Sequence, residues 1–136
     1  MSDRTVIVAA AIVDGDPPRV LAAQRSYPPE LAGLWELPGG KVHAGEADLD
    51  ALVRECREEL GVDIAPGARL GGDVEIGPDL LLRVWWATLV AGEPQPLEHT
   101  SLRWLEHDEL DEVPWLPSDA PVLAALRTSW PAATGQ

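Results

Sequence analysis

One run of the chain, Gly40 to Val62 (GKVHAGEADLDALVRECREELGV), constrains it more than any other. It sets Gly40, Glu46, Arg54, Glu55, Glu58, Glu59 and Gly61 at fixed spacings, with Cys56 and Val62 at apolar positions. A glycine-led loop feeds a helix expected from about Ala47 to Leu60. Gly61 follows the last apolar residue and suits a left-handed C-terminal cap. Helical neighbours lie three and four residues apart, which brings Glu55, Glu58 and Glu59 together. Leu49, Val53, Cys56 and Leu60 repeat on the other side and read as the core face. The three glutamates are then expected on the exposed face.

Three carboxylates on one face repel one another unless a cation sits among them. Magnesium takes oxygen ligands and commonly uses one or two carboxylates plus substrate phosphates. A plain solvated acidic face is the simpler reading of a glutamate-rich helix. The loop in front weighs against it. From average residue usage, the whole spaced pattern arises by chance on the order of once in 10^7 chains of this length.

The run resembles the Nudix box, GX5EX7REUXEEXGU with U a bulky apolar residue, at each polar and glycine position. Cys56 in the first U slot is the one soft departure, and a buried cysteine behaves as a small hydrophobe. AQR at Ala23–Arg25, LWELPGGK at Leu34–Lys41, GEP at Gly92–Pro94 and PSDAPVL at Pro117–Leu123 resemble the MutT-like branch. Within it, the chain is most similar to small CTP and oxidised-nucleotide pyrophosphohydrolases.

The resemblance implies an α/β fold, an α/β/α sandwich around a mixed sheet. It implies a Mg2+-dependent nucleoside triphosphate pyrophosphohydrolase, with Mn2+ as a possible substitute. Water would attack the β-phosphorus and release a nucleoside monophosphate and pyrophosphate, cleansing the nucleotide pool. Glu58 and Glu59 would ligate the metal, and Glu55 would ligate or act as base. Gly39 would offer its carbonyl, and Glu98 would approach the metals as a further carboxylate. Arg54 keeps its proton, so orienting a neighbouring glutamate is its expected part. Glu46 is expected to brace the loop.

The expected substrate-contacting residues are Arg25, Leu37, Leu80, Arg83 and Asp119. Arg83 interrupts LLLRVWW and either lines the pocket or borders the sheet. Asp119 is either a helix N-cap before Ala120-Pro121 or the residue that reads the base. A carboxylate only accepts hydrogen bonds, so it faces donors such as the cytosine amino group. Guanine and 8-oxoguanine also present N–H donors. The likeness to CTP-type enzymes favours cytosine nucleotides. Trp115 either stacks on a base or packs under the last helix. His99 reads either as a base beside Glu98 or as a solvated loop histidine, the more ordinary case.

Composition narrows the partners. The net charge of -13 is unlike the basic face that binds duplex nucleic acid. The 136 residues suit one domain, 1–136. Val6–Val13 is too short to span a membrane, and what precedes it is unlike a signal peptide. The lone Cys56 fits a reducing cytoplasm and reads as a packing residue. A monomer or homodimer acting on a small nucleotide is expected. The rival substrates are a dinucleoside polyphosphate or a nucleotide sugar. A non-catalytic nucleotide-binding module is the rival class, disfavoured by the intact Glu55, Glu58 and Glu59.

Along the chain, strands are expected at Thr5–Val13 and Arg19–Gln24, with an extended piece at Leu34–Leu37. Arg69–Ile76 and Leu80–Val90 read as a hairpin around Gly77-Pro78-Asp79. Leu102–Leu105 is a further strand, Asp108–Val113 a helical turn and Ala120–Ser129 a closing helix.

Overall fold

A computed structural model describes residues 4–131. Its centre is β1 (Thr5–Asp14), whose residues Val8 to Ile12 are all buried. A strand buried on both faces sits in the middle of a sheet, and this one follows that rule. Alternation divides it. Ala9 and Ala11 enter the core on one side, while Val8, Ala10 and Ile12 enter the core on the other.

Around β1 run β2 (Arg19–Gln24), β3 (Trp35–Glu36), β4 (Gly39–Lys41), β5 (Asp63–Arg69), β6 (Val74–Ile76), β7 (Leu80–Ala91) and β8 (Ser101–Leu105). The sheet is mixed. β1 and β7 are parallel from Thr5↔Leu80 to Val13↔Thr88, and the other pairings are antiparallel. A parallel pair needs a long crossover; here it carries α1 (Asp48–Leu60). α1 covers one face and α2 (Ala120–Thr128) the other, giving the α/β/α layering. Among the described residues, no helix is long and apolar enough to cross a membrane.

Two expectations need correction. The strand expected over Arg69–Ile76 is two elements: β5 begins at Asp63, and β6 begins at Val74. Pro and Gly disfavour strand interiors, yet β5 holds Pro66 and Gly67, with register shifts between Asp63/Ile64 and Pro66/Arg69. Bulges are where a strand tolerates such residues. The core face of α1 is also rotated. Ala51, Leu52, Cys56, Glu59 and Leu60 are buried, Val53 is partly buried, and Leu49 is 44% exposed. Spacing alone fixed the period of the stripe and left its phase one residue adrift.

Gly39 lies where β4 meets β1, opposite Ala9. A Cβ there would stand 1.9 Å from the Val8 carbonyl oxygen. Backbone cannot yield cheaply, so Gly39→Ala is expected to destabilise the fold by about 2–4 kcal/mol. Gly72, with open space around it, is the control. Urea midpoints should separate the two alanine variants; equal midpoints would refute the close approach.

Candidate active site

α1 is anchored to the loop before it through one side chain. Arg54 Nε and Nη2 grip the two oxygens of Glu46 at 2.8 and 3.0 Å. Nη2 also donates to the Lys41 carbonyl at 3.0 Å, and Nη1 donates to Glu58 at 3.0 Å. Glu46 in turn accepts the His43 N–H at 3.0 Å. The Arg54 bonds, then the His43 bond, hold the Glu46 carboxyl down to about 2. At the other end of the helix, Gly61 closes α1 in the left-handed region at φ 70, donating to the Arg57 carbonyl.

This clamp sets the three helix glutamates apart in character. Glu58 points outward and is held by Arg54. It is not among the residues lining the main cleft. Glu55 is half-buried and lies against Gly40, where a Cβ would stand 2.1 Å from its Oε2. Burial raises the Glu55 carboxyl, Arg54 opposes this, and Glu58 adds to it. Glu59 is only 7% exposed. Burial, then Glu55, Glu36 and Glu98, push its carboxyl up to about 9. The expectation of three glutamates on an exposed face therefore fails at Glu59, which falls between Cys56 and Leu60 on the buried stripe.

The cleft, of about 480 Å³, is lined by Gly39, Gly40, Glu55, Glu59 and Glu98 together with Arg25, Leu37, Leu80 and Asp119. Distant segments thus meet in one hollow. Glu98 is exposed, yet its charge raises both Glu55 and Glu59. Arg83 stays outside the lining; it pairs with Asp48 at 2.8 Å and Asp73 at 3.2 Å. These pairs place its guanidinium between the start of α1 and the segment before β6. Trp115 is likewise absent from the lining: it packs in the α2-side core and donates to the Leu110 carbonyl at 2.7 Å.

Asp119 precedes α2 without a side-chain cap bond. Its side chain is buried, and among the described residues Oδ2 has no hydrogen-bond partner. Burial first, then Glu36, push its carboxyl up to about 7, against the pull of Arg25. The N-cap reading is thereby corrected.

Sequence reasoning passed over Glu36 and did not foresee the burial of His99. Glu36 accepts from Arg25 Nη1 at 3.0 Å and meets His99 Nε2 at 3.0 Å. The His99 side chain, 6% exposed, is not solvated. A glutamate in the two-residue strand β3 and a histidine in a proline-rich loop carry no periodic signal.

The donor set suits a hard divalent cation. Glu55, Glu59 and Glu98 offer only oxygen, and crowding lifts the first two carboxyls. Among the described residues, no three acidic, histidine or cysteine side chains already converge as a cage.

Glu55, Glu59 and Glu98 thus line one cleft of a mixed sheet, beside the close backbone approaches at Gly39 and Gly40. The chain belongs to the Nudix family: the NUDIX domain model matches residues 3–126. It is a Nudix hydrolase. It is 48% identical over 124 residues to "Putative 8-oxo-dGTP diphosphatase 2" of Mycobacterium tuberculosis, covering 89% of this chain and 86% of that one. It is 37% identical to the CTP pyrophosphohydrolase of Escherichia coli, covering 95% and 98%. The solution structure of the E. coli ORF135 protein superposes with a TM-score of 0.76 at 34% identity, covering 96% of each chain.

The raised carboxyls have a signed consequence. A carboxyl raised in the folded state favours the protonated fold. Its penalty grows as pH rises from the unfolded value towards the folded one. For Glu59 that window runs from 4.5 to about 9, and Asp119 adds to it from 3.8 to about 7. Glu46, held down to about 2, acts only at the acid end. Metal-free protein should therefore lose on the order of a few kcal/mol between pH 5 and pH 9. Glu59→Gln should flatten that slope in melting curves recorded in chelator. A wild-type Tm that rises across the window would contradict the crowding.

Proposed function

We propose that the chain is a divalent-cation-dependent nucleoside triphosphate pyrophosphohydrolase, with Mg2+ the natural metal and Mn2+ a substitute. The observation that carries this reading is the buried Glu59 beside Glu55 and Glu98 in the cleft that also holds Asp119. Glu55, Glu59, Glu98 and the Gly39 carbonyl would hold the cation, with Glu58 able to join if it leaves Arg54. A bound cation would neutralise phosphate oxygens and acidify water. Glu55, raised by burial, suits the acceptance of a proton from the attacking water. Gly40 leaves space for that carboxylate. Arg54 fixes the helix against the loop and takes no proton.

Recognition of the nucleotide falls to the other lining residues. Leu37 and Leu80 supply apolar surface, and Arg25 supplies a cation. Asp119 Oδ2, buried and unpartnered, calls for a donor on the base. The cytosine amino group meets that need, and so do the N–H groups of 8-oxoguanine. The two relatives named for 8-oxo-dGTP and CTP support the same pair. Cytosine triphosphates, 8-oxo-dGTP, or both are the proposed substrates, with pool cleansing as the role in one domain, in the cytoplasm.

A panel of dCTP, CTP, 5-methyl-dCTP, 8-oxo-dGTP and the remaining triphosphates tests this. The monophosphate and pyrophosphate should form, and 18O from water should enter pyrophosphate. Glu59→Gln should lower kcat by at least about 100-fold, more than the loss of a metal's outer partner costs. Orthophosphate as the first product, or near-normal turnover by the variant, would overturn the assignment.

Asp119→Ala should reduce discrimination between bases roughly tenfold or more, a charge-assisted bond being worth about 1.5–3 kcal/mol. It removes an unpartnered buried carboxyl, so Tm at pH 8 should hold or rise. A lowered Tm with an unchanged ratio of kcat/KM between nucleotides would return Asp119 to a structural role.

A further inference from the structure

His99 lies where two parts of the cleft are tied together. The segment before it is pinned to the end of α1: Gln95 N–H donates to the Leu60 carbonyl at 3.0 Å and Leu97 N–H to the Glu59 carbonyl at 3.1 Å. The segment after it is pinned to the end of β2, where Thr100 N–H donates to the Gln24 carbonyl at 2.9 Å. The His99 backbone thus spans the junction between the helix and the strand that leads to Arg25. Its ring is 6% exposed. Nε2 stands 3.0 Å from Glu36 Oε2 and 3.7 Å from Glu59 Oε1. The other Glu36 oxygen holds Arg25 Nη1 at 3.0 Å.

A line of polar contacts therefore runs Arg25–Glu36–His99–Glu59. Glu36 and Glu59 repel one another, and one ring nitrogen stands close to both. A donor at that point keeps the two carboxylates apart and fixes which oxygen each turns to the cleft. Glu36 can then hold Arg25 with its free oxygen. Glu59 keeps its orientation within the carboxylate cluster.

We propose that His99 is a positioning residue that couples the Arg25–Glu36 wall of the cleft to the cation-binding carboxylate Glu59. This rests on the reading of Glu59 as a cation ligand. His99 then touches neither phosphate nor cation. It sets the aim of the groups that do, so its loss alters cation affinity and nucleotide selection together.

Geometry supplies a matched pair of variants. In His99→Gln the side-chain nitrogen reaches the place of Nε2. In His99→Asn it stops near the place of Nδ1 and cannot bridge. Binding of Mn2+ alone, read by electron paramagnetic resonance of the free ion, should weaken about tenfold in His99→Asn. The ratio of kcat/KM between the best and poorest triphosphates should fall about fivefold, within the range found for coupled sites. His99→Gln should restore both. Normal Mn2+ affinity in His99→Asn with only a lowered Tm would overturn the proposal. So would a His99→Gln variant as impaired as His99→Asn. If the wild-type protein hydrolyses no triphosphate, the proposed reaction fails, and the Mn2+ measurements alone then decide the role of His99.

Discussion

The grip of Arg54 on Glu46 is the interaction on which the rest of the cleft depends. The loop before α1 offers little apolar surface beyond Val42, which packs against the α1-side core, and a polar tie adds to that contact. The guanidinium presents five donors in a rigid plane, and here they reach Glu46, Glu58 and the Lys41 carbonyl. A lysine could not span these acceptors with one point charge. With the loop held, Gly40 approaches Glu55, and Gly39 lies tight against β1. The helix then presents Glu55 and Glu59 to the cleft while Glu58 is drawn aside.

The legible and illegible parts of this molecule differ for physical reasons. The helix, its glycine cap, β1, β2, β7 and the closing helix follow from period and punctuation, and each lies within a few residues of expectation. Phase is less legible than period. Leu49 belongs to the apolar set by type, but the helix is oriented by Leu52, Cys56 and Leu60, which leaves Leu49 outside and Glu59 inside. β5 was hidden because Pro66 and Gly67 argue against a strand unless bulges are allowed for. At the site, residues within the Gly40–Val62 run could be named because their spacing is local. Glu36 was not singled out and the burial of His99 was not foreseen, since their pairing joins positions 63 residues apart in sequence. Arg83 looked functional for the opposite reason: a charge inside an apolar strand is conspicuous, yet Asp48 and Asp73 account for it.

Net charge makes sense only beside this geometry. At -13 the chain repels polyanions in general, and duplex nucleic acid offers a dense line of phosphates. A short polyphosphate differs because it can arrive with cations. The same carboxylates that oppose free phosphate provide oxygen ligands for a magnesium-bound one. Under the proposed function, an acidic cleft would favour metal-complexed phosphate and tie substrate binding to cation binding.

Two acidic groups of the cleft are left at a cost by the fold alone, and His99 Nδ1 is a further buried atom without a partner among the described residues. Glu59 is crowded by carboxylates and lifted to about 9. Asp119 has a buried oxygen without a partner and is lifted to about 7. A buried polar atom normally finds a hydrogen bond, and a buried charge normally finds a counter-charge. Each of these needs a different remedy, a cation for Glu59 and a hydrogen-bond donor for Asp119. A nucleotide carrying a divalent cation brings both at once, phosphate-bound metal to one group and base N–H to the other. A cation alone or a nucleoside alone would relieve only half of the cost. The raised Glu59 and the unpartnered Asp119 oxygen are thus what the proposed reading, a single metal-complexed nucleotide spanning the cleft, would relieve together.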